Sequence, residues 1–287
     1  MSTVVTAILS GTAVLLAGSL PWGAVLAPLN LRLFPVAPWA IVPMAIYLVL
    51  YWRYVGGLIG SPDSREYRKT NLRAHPLAPA VWPLAIVTGL VGFGGLVVLL
   101  RVMARLVVMP ESAPIVLPTG MPAGTGFALL AMASIVAGVT EEAGFRGYMQ
   151  GPVERRYGLA AGILVNGLMF GLLHFPNHPQ AVISMLPYYV AVAAVYGGLT
   201  WATNSILPAL ALHAGGDVWS LTRLWLTGRP EWQLGATPQR VTETGIDLSF
   251  VVMVIVLVLV STAVVALCRW VQREASRGAI EKMLDQP

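Results

Sequence analysis

Charge is scarce in this chain: only 11% of its 287 residues are Asp, Glu, Lys or Arg, against 56% hydrophobic. A water-soluble protein of this length does not carry that balance, so the bilayer is the solvent the composition suits. Cysteine is nearly missing. Cys268 stands alone, which excludes an intramolecular disulfide framework and a CxxC metal signature. The 18 basic residues are dispersed and gather on no single face or helix, which argues against nucleic acid as a partner. There is no tandem repeat and no pair of broken helices of the kind that marks a two-fold transporter. No basic residue precedes Arg32, so the first apolar stretch lacks the charged start of a cleaved secretory signal and is expected to remain as a helix. The longest polar stretches, Arg53 to His75 and Gly228 to Asp247, have no period that would bury a core and are expected to be loops.

What is present is a series of apolar stretches, each matched to a hydrocarbon layer about 30 Å thick. They run from Val5 to Ala27, Pro38 to Val55, Val81 to Met103, Phe127 to Phe145, Leu159 to Phe175, Met185 to Trp201, Ile206 to Leu224 and Leu248 to Cys268. The expected fold is therefore all-α, a polytopic transmembrane bundle of about eight helices forming one integral membrane domain over 1–287. With both termini cytoplasmic, 12 basic residues fall inside (Arg53, Arg65, Arg68, Lys69, Arg73, Arg146, Arg155, Arg156, Arg269, Arg273, Arg277 and Lys282) and 6 outside, the bias that orients membrane proteins. Gly158, Gly162, Gly167 and Gly171 make small-xxx-small steps that let a neighbour's backbone approach, placing the fifth stretch inside the bundle.

Charged side chains at membrane depth cost about 2.5 to 3.5 kcal/mol each unless they pair, line a cavity or do chemistry. Here they cluster. The fourth stretch ends in Thr140, Glu141, Glu142 and Arg146, the fifth carries Asn166, Phe170 and His174, and the seventh carries His213 and Asp217. Glu142 and Arg146 are four apart and share a helix face, leaving Glu141 about 100° around the helix to point elsewhere. His213 and Asp217 are also four apart, as are Phe170 and His174. Three helices can thus converge two imidazoles and two carboxyl groups, as a buried catalytic or metal site requires. Each part also has a plainer reading. Glu142 with Arg146 can be a structural pair, His174 an interfacial histidine bonded to a carbonyl, and His213 with Asp217 an interhelical clamp. His178 follows His174 by four, but Pro176 breaks that face and no glutamate lies between, unlike a metalloprotease helix. Ala214, Gly215, Gly216 and Asp217 fall one glycine short of the Gly-x-Gly-Asp signature of aspartyl intramembrane proteases. A serine-type Gly-x-Ser-Gly site is missing.

These residues resemble the CAAX-protease and bacteriocin-processing (Abi) family of membrane endopeptidases, which includes the Ras-converting CAAX prenyl endopeptidase. Its Glu-Glu-x-x-x-Arg motif corresponds to Glu141, Glu142 and Arg146, its Phe-x-x-x-His to Phe170 and His174, and its His-x-x-x-Asn/Asp to His213 and Asp217. The likeness covers Thr125 to Leu224, read as the catalytic core helices. It implies an intramembrane endopeptidase acting on membrane-embedded or membrane-proximal peptides, CAAX-like or lipid-anchored ones among them. It further implies Glu141 as general base, His174 as holder of the water, and His213 with position 217 as oxyanion stabilisers, with Glu142, Arg146 and Phe170 in support. An asparagine at 217 can donate a hydrogen bond, whereas Asp217 donates only when protonated and otherwise repels an oxyanion or holds His213 in one tautomer. A mechanism without cofactor is expected; a zinc site made from Glu141, His174, His213 and Asp217 is the alternative. The expected partners are a membrane peptide or protein substrate and the lipid bilayer, and the expected location is the bacterial inner membrane. Two other classes compete: a non-catalytic scaffold or bacteriocin-immunity protein, and a proton-coupled transporter using the same residues as a relay. The Pro-rich run from Phe175 to Pro187 is expected to line substrate entry.

Overall fold

A computed structural model describes residues 2–109, 115–174, 182–229 and 239–284. Among these residues the chain is helical, without strands. We label the helices α1 (Thr3–Leu33), α2 (Ile41–Val55), α3 (Arg65–Leu72), α4 (Val81–Leu106), α5 (Ala123–Tyr157), α6 (Leu159–Leu173), α7 (Val182–Thr203), α8 (Leu207–Thr227) and α9 (Leu248–Leu284). Every apolar stretch named above coincides with one of them. Among the described residues, α1, α4, α5, α7 and α9 are long and apolar enough to cross a membrane, while α2 and α6 are shorter apolar helices. The chain is thus a polytopic, all-helical integral membrane protein.

The helices fall into two compact units that interleave in sequence: Met1–Ala74 with Ser112–Arg156 and Leu210–Pro230, and His75–Glu111 with Tyr157–Ala209 and Glu231–Pro287. In the first unit, α1, α2 and α5 share a core of Trp22, Ala40, Met44, Leu48, Leu129, Met132 and Val136. Polar groups then pin backbones together. Asn30 is fully buried at the end of α1; its amide donates to the carbonyls of Phe34 (3.3 Å) and Ala37 (3.0 Å) and its oxygen accepts from Ala40 N–H (2.9 Å). The hydroxyls of Tyr47 and Tyr51 on α2 donate to Ala17 O (2.6 Å) and Val14 O (3.0 Å) on α1. Low dielectric makes each such bond matter, because an unpaired group there is costly.

Glycine sets the closest approach. A Cβ built on Gly11 of α1 would stand 2.7 Å from Gly144 O of α5, and one built on Gly144 would stand 2.8 Å from Gly11 O. Within α5 the residues Glu142–Gln150 form a π-helix, and all nine are buried. That wider turn faces α1 through Gly144, and at Gly147 a Cβ would meet Asn71 O at 2.8 Å.

The stretch from Arg53 to His75 is not the loop expected from its polarity. It contains α3, whose Arg68 is buried and donates to the carbonyls of Tyr54 (2.7 Å), Ile59 (2.8 Å) and Ser61 (3.0 Å). One guanidinium supplies the order that apolar periodicity does not. Arg73 extends the same arrangement, pairing with Glu154 at 3.1 Å. The second polar stretch, in which residues 230–238 lie outside the described ones, also contains a helical turn at Val241–Thr244.

In the second unit, α6 packs on α7 and α4 on α9. The glycine face of α6 makes its contact as expected: a Cβ on Gly167 would reach Val190 Cα at 2.7 Å, and one on Gly171 would reach Leu186 Cδ1 at 3.0 Å. Its opposite face, Leu164, Leu168 and Leu172, is exposed, so α6 is buried on one side and not all round. At the N-terminus of α9, Asp247 accepts from Phe250 N–H (2.8 Å) and from Arg105 (2.9 Å). The Arg105 bond, with the N-terminal N–H second, holds its carboxyl below the ordinary range.

The Gly11 contact is testable by overpacking. Gly11→Ala is expected to destabilise the protein in detergent by about 1–3 kcal/mol. Gly23→Ala, where no atom lies within 4 Å of a built Cβ, is expected to change stability by under about 0.5 kcal/mol. Thermal unfolding of the two variants checks this, and equal midpoints would contradict the close approach.

Candidate active site

Helices α5 and α8 meet within the first unit where neither carries a bulky side chain. A Cβ on Gly138 would lie 2.8 Å from Ala214 Cβ and 3.0 Å from Ala214 N. Gly138 is one turn before Glu142, and Ala214 follows His213, so the small residues draw the two polar clusters together.

The result is a chain of contacts through His213. Its Nδ1 lies 2.7 Å from Glu142 Oε1, and the same carboxylate oxygen lies 3.1 Å from Arg146 Nη1. Glu142 and Arg146 side chains are completely buried. A buried charge persists only where it is paired, and Arg146 and Glu142 supply that pairing to each other. A carboxylate only accepts, so His213 Nδ1 carries the donated proton. The other ring nitrogen then faces two more acids: Nε2 is 3.7 Å from Glu141 Oε2 and 3.6 Å from Asp217 Oδ2. Both separations exceed a direct hydrogen bond. Glu141 and Asp217 are also the wetter members of the set, with side chains 18% and 34% exposed against 8% for His213.

Of the sequence-derived candidates, Glu141, Glu142, Arg146, His213 and Asp217 therefore assemble in one unit. Phe170 and His174 belong to the other. There His174 ends α6 and its Nδ1–H donates to Phe170 O at 2.8 Å, which leaves Nε2 as the proton-accepting nitrogen of the neutral ring. The ring packs at a tilt against Phe170 (centroids 4.4 Å apart) and Tyr189 of α7 (5.2 Å), which also meet each other edge-on at 5.6 Å. Phe170 thus fixes the imidazole twice, by its carbonyl and by its ring. Residues 175–181, including His178 and the first part of the run expected to line substrate entry, lie outside the described residues; from Val182 that run is helical, with Pro187 inside α7.

Three features were not read from the sequence. Tyr189 lies one turn past Met185 in an apolar run and gave no signal. Glu142 was paired with Arg146 alone, because a bond across 71 residues to His213 leaves no periodic trace. The π-helix starting at Glu142 also departs from the α-helical geometry assumed for Glu141 and Glu142; such turns are frequent at functional sites. Among the described residues, no group of three His, Cys, Asp or Glu side chains is disposed to hold a metal ion.

The two adjacent glutamates have different structural weights. Glu142→Gln, which strips a buried charge from Arg146, is expected to destabilise the protein by about 3–5 kcal/mol. Glu141→Gln is expected to cost under about 1 kcal/mol. Unfolding midpoints in detergent separate the two, and similar losses would contradict the division between an anchoring and an available carboxylate.

A family model described as type II CAAX prenyl endopeptidase, Rce1-like, matches residues 123–219. No match was found among curated proteins or solved structures. The matched segment runs from the first residue of α5 to Trp219 of α8 and encloses Glu141, Glu142, Arg146, Phe170, His174, His213 and Asp217. All three motifs fall within that segment, so residues 123–219 are similar to the type II CAAX prenyl endopeptidase, Rce1-like family.

Proposed function

We propose that this chain is an intramembrane endopeptidase that hydrolyses peptide bonds of membrane-embedded or membrane-proximal substrates, CAAX-like or lipid-anchored peptides included, by glutamate-activated water. The observation that carries the reading is the pair of carboxylates, Glu141 and Asp217, standing 3.7 and 3.6 Å from one imidazole nitrogen whose other nitrogen is already anchored. A structural clamp needs one carboxylate; the second, partly exposed at bilayer depth, is costly unless it does chemistry.

In the proposed reaction Glu141 takes a proton from water as the water oxygen bonds to the scissile carbonyl carbon. His174, through its accepting Nε2, helps hold that water. The carbonyl π electrons move to oxygen, and the resulting oxyanion is met by His213 Nε2 in its protonated form. Collapse reforms the carbonyl and breaks the C–N bond, and the proton held by Glu141 passes, with help from His174, to the leaving amine. Glu142 keeps the His213 ring oriented, because its hydrogen bond fixes the other nitrogen. Asp217, with Oδ2 3.6 Å from His213 Nε2, stands with it at the oxyanion position. These roles use protein groups alone. The core helices over 125–224 would hold the machinery, and the distribution of basic residues supports both termini facing the cytoplasm.

Purified protein in liposomes, incubated with a membrane-peptide library and read by mass spectrometry, tests this. Glu141→Gln is expected to lower cleavage by about 10²–10⁴-fold, with wild-type cleavage unchanged by a chelator. Loss on chelation with rescue by zinc would instead assign the acids and histidines as metal ligands. Full retention of cleavage by Glu141→Gln would remove Glu141 as the base, whereas no cleavage by either protein, with biological activity kept by the variant, would favour a scaffold.

Position 217 gives a separate test. An amide donates to an oxyanion without needing a proton, so Asp217→Asn is expected to stay within about ten-fold of wild type. Asp217→Leu, which supplies neither charge nor donor, is expected to lose about 10²–10³-fold. Initial cleavage rates on one peptide compare them, and a more active leucine variant would remove Asp217 from the mechanism.

A further inference from the structure

Away from the acid–histidine cluster, the second unit contains a cavity of about 480 Å³ walled by α4, α6, α7 and α9. Its walls include Leu96 and Leu99 of α4, Ile163 of α6, Val195 of α7 and Leu257 and Val264 of α9. Glycines at Gly92, Gly95 and Gly198 also line it, each giving up wall volume. The one charged residue among the lining side chains is Arg269. Ser261, Val265 and Arg269 on α9 are exposed, so the cavity opens at the surface of the helices.

This chemistry restricts the occupant. A peptide entering such walls would leave backbone N–H and C=O groups without partners, at several kcal/mol each. Water has the same difficulty, since an apolar cavity offers too few polar partners to hold it. A hydrocarbon chain has neither problem. Along α9 the lining runs from Leu257 to Arg269, 12 residues or about 18 Å of helix, a span that suits an extended acyl chain. Arg269 then stands where the apolar wall ends, and it begins a row of arginines at four-residue spacing, Arg269, Arg273 and Arg277, on one side of the helix. Arg277 is paired with Glu274 at 3.0 Å. Trp270 beside Arg269 is exposed, as expected of an aromatic side chain at the membrane–water boundary.

We propose that this cavity is a binding site for an anionic phospholipid of the bilayer, one acyl chain lying between α4, α7 and α9 and the phosphate meeting Arg269. Basic pockets between spanning helices recognise anionic headgroups in this way. The site is independent of the proposed peptide hydrolysis and uses none of its residues.

The full chain in detergent can be titrated with phosphatidylglycerol and with phosphatidylcholine, bound lipid being counted by native mass spectrometry. Wild type is expected to retain phosphatidylglycerol in preference to phosphatidylcholine. Arg269→Gln is expected to weaken phosphatidylglycerol about five-fold, the contribution of one basic residue at an anionic surface, and to abolish the preference. Ala194→Phe, at an exposed alanine of the lining, fills the cavity and is expected to lower retention of both lipids. Cys268, the only cysteine and part of the wall, provides a second readout: bound phosphatidylglycerol is expected to slow its alkylation in wild type and to lose that effect in Arg269→Gln. Equal retention of the two lipids by wild type, or wild-type behaviour in both variants, would overturn the proposal. Displacement of phosphatidylglycerol by a prenylated peptide would overturn it too, by assigning the cavity to substrate.

Discussion

One buried carboxylate oxygen, Glu142 Oε1, holds Arg146 at 3.1 Å and His213 Nδ1 at 2.7 Å. Neither charge would be tolerated at that depth alone, and each contact is stronger for being away from water. Because Glu142 sits on α5 and His213 on α8, the same oxygen also sets how the two helices face each other. The orientation of His213 follows, and with it the position of Nε2 between Glu141 and Asp217. A residue that touches no proposed reacting atom thereby decides which atoms can react.

Close packing of backbones makes that contact possible. Gly138 admits Ala214, and Gly144 admits the backbone of α1 at Gly11. In a bilayer there is little hydrophobic gain in bringing helices together, so small residues and interhelical hydrogen bonds carry the association. The π-helix from Glu142 to Gln150 places nine successive residues in buried positions, more than one face of a regular α-helix would. Polar side chains are consequently fixed from several sides, and Tyr148, whose hydroxyl donates to Val55 O at 2.6 Å, extends that fixing to α2.

The parts of this arrangement that depend on local spacing were legible. Helices long enough to span follow from apolar run length, because hydrocarbon leaves the backbone no other partner than itself. The Glu142–Arg146 and Phe170–His174 relations follow from four-residue spacing, and both recur as contacts, at 3.1 Å between charged atoms and 4.4 Å between rings. The helix α3 was missed because its order comes from Arg68 donating to three carbonyls, and a buried polar anchor looks in sequence like an ordinary loop charge. Tyr189 was missed because nothing in an apolar run distinguishes the aromatic ring that packs against His174 from its neighbours.

By itself, the sequence determined the solvent, the helical class, the run of membrane-length segments and the three motifs, since each depends on composition or on periodicity within one helix. Only the tertiary structure decided which nitrogen of His213 is anchored, that Glu142 and not Asp217 anchors it, and that Glu141 and Asp217 stand at near-equal distances from the nitrogen left over. Those outcomes depend on the approach of α5 to α8. That approach is set by the absence of side-chain bulk at Gly138 and by a π turn, and neither has a period that a linear pattern can reveal.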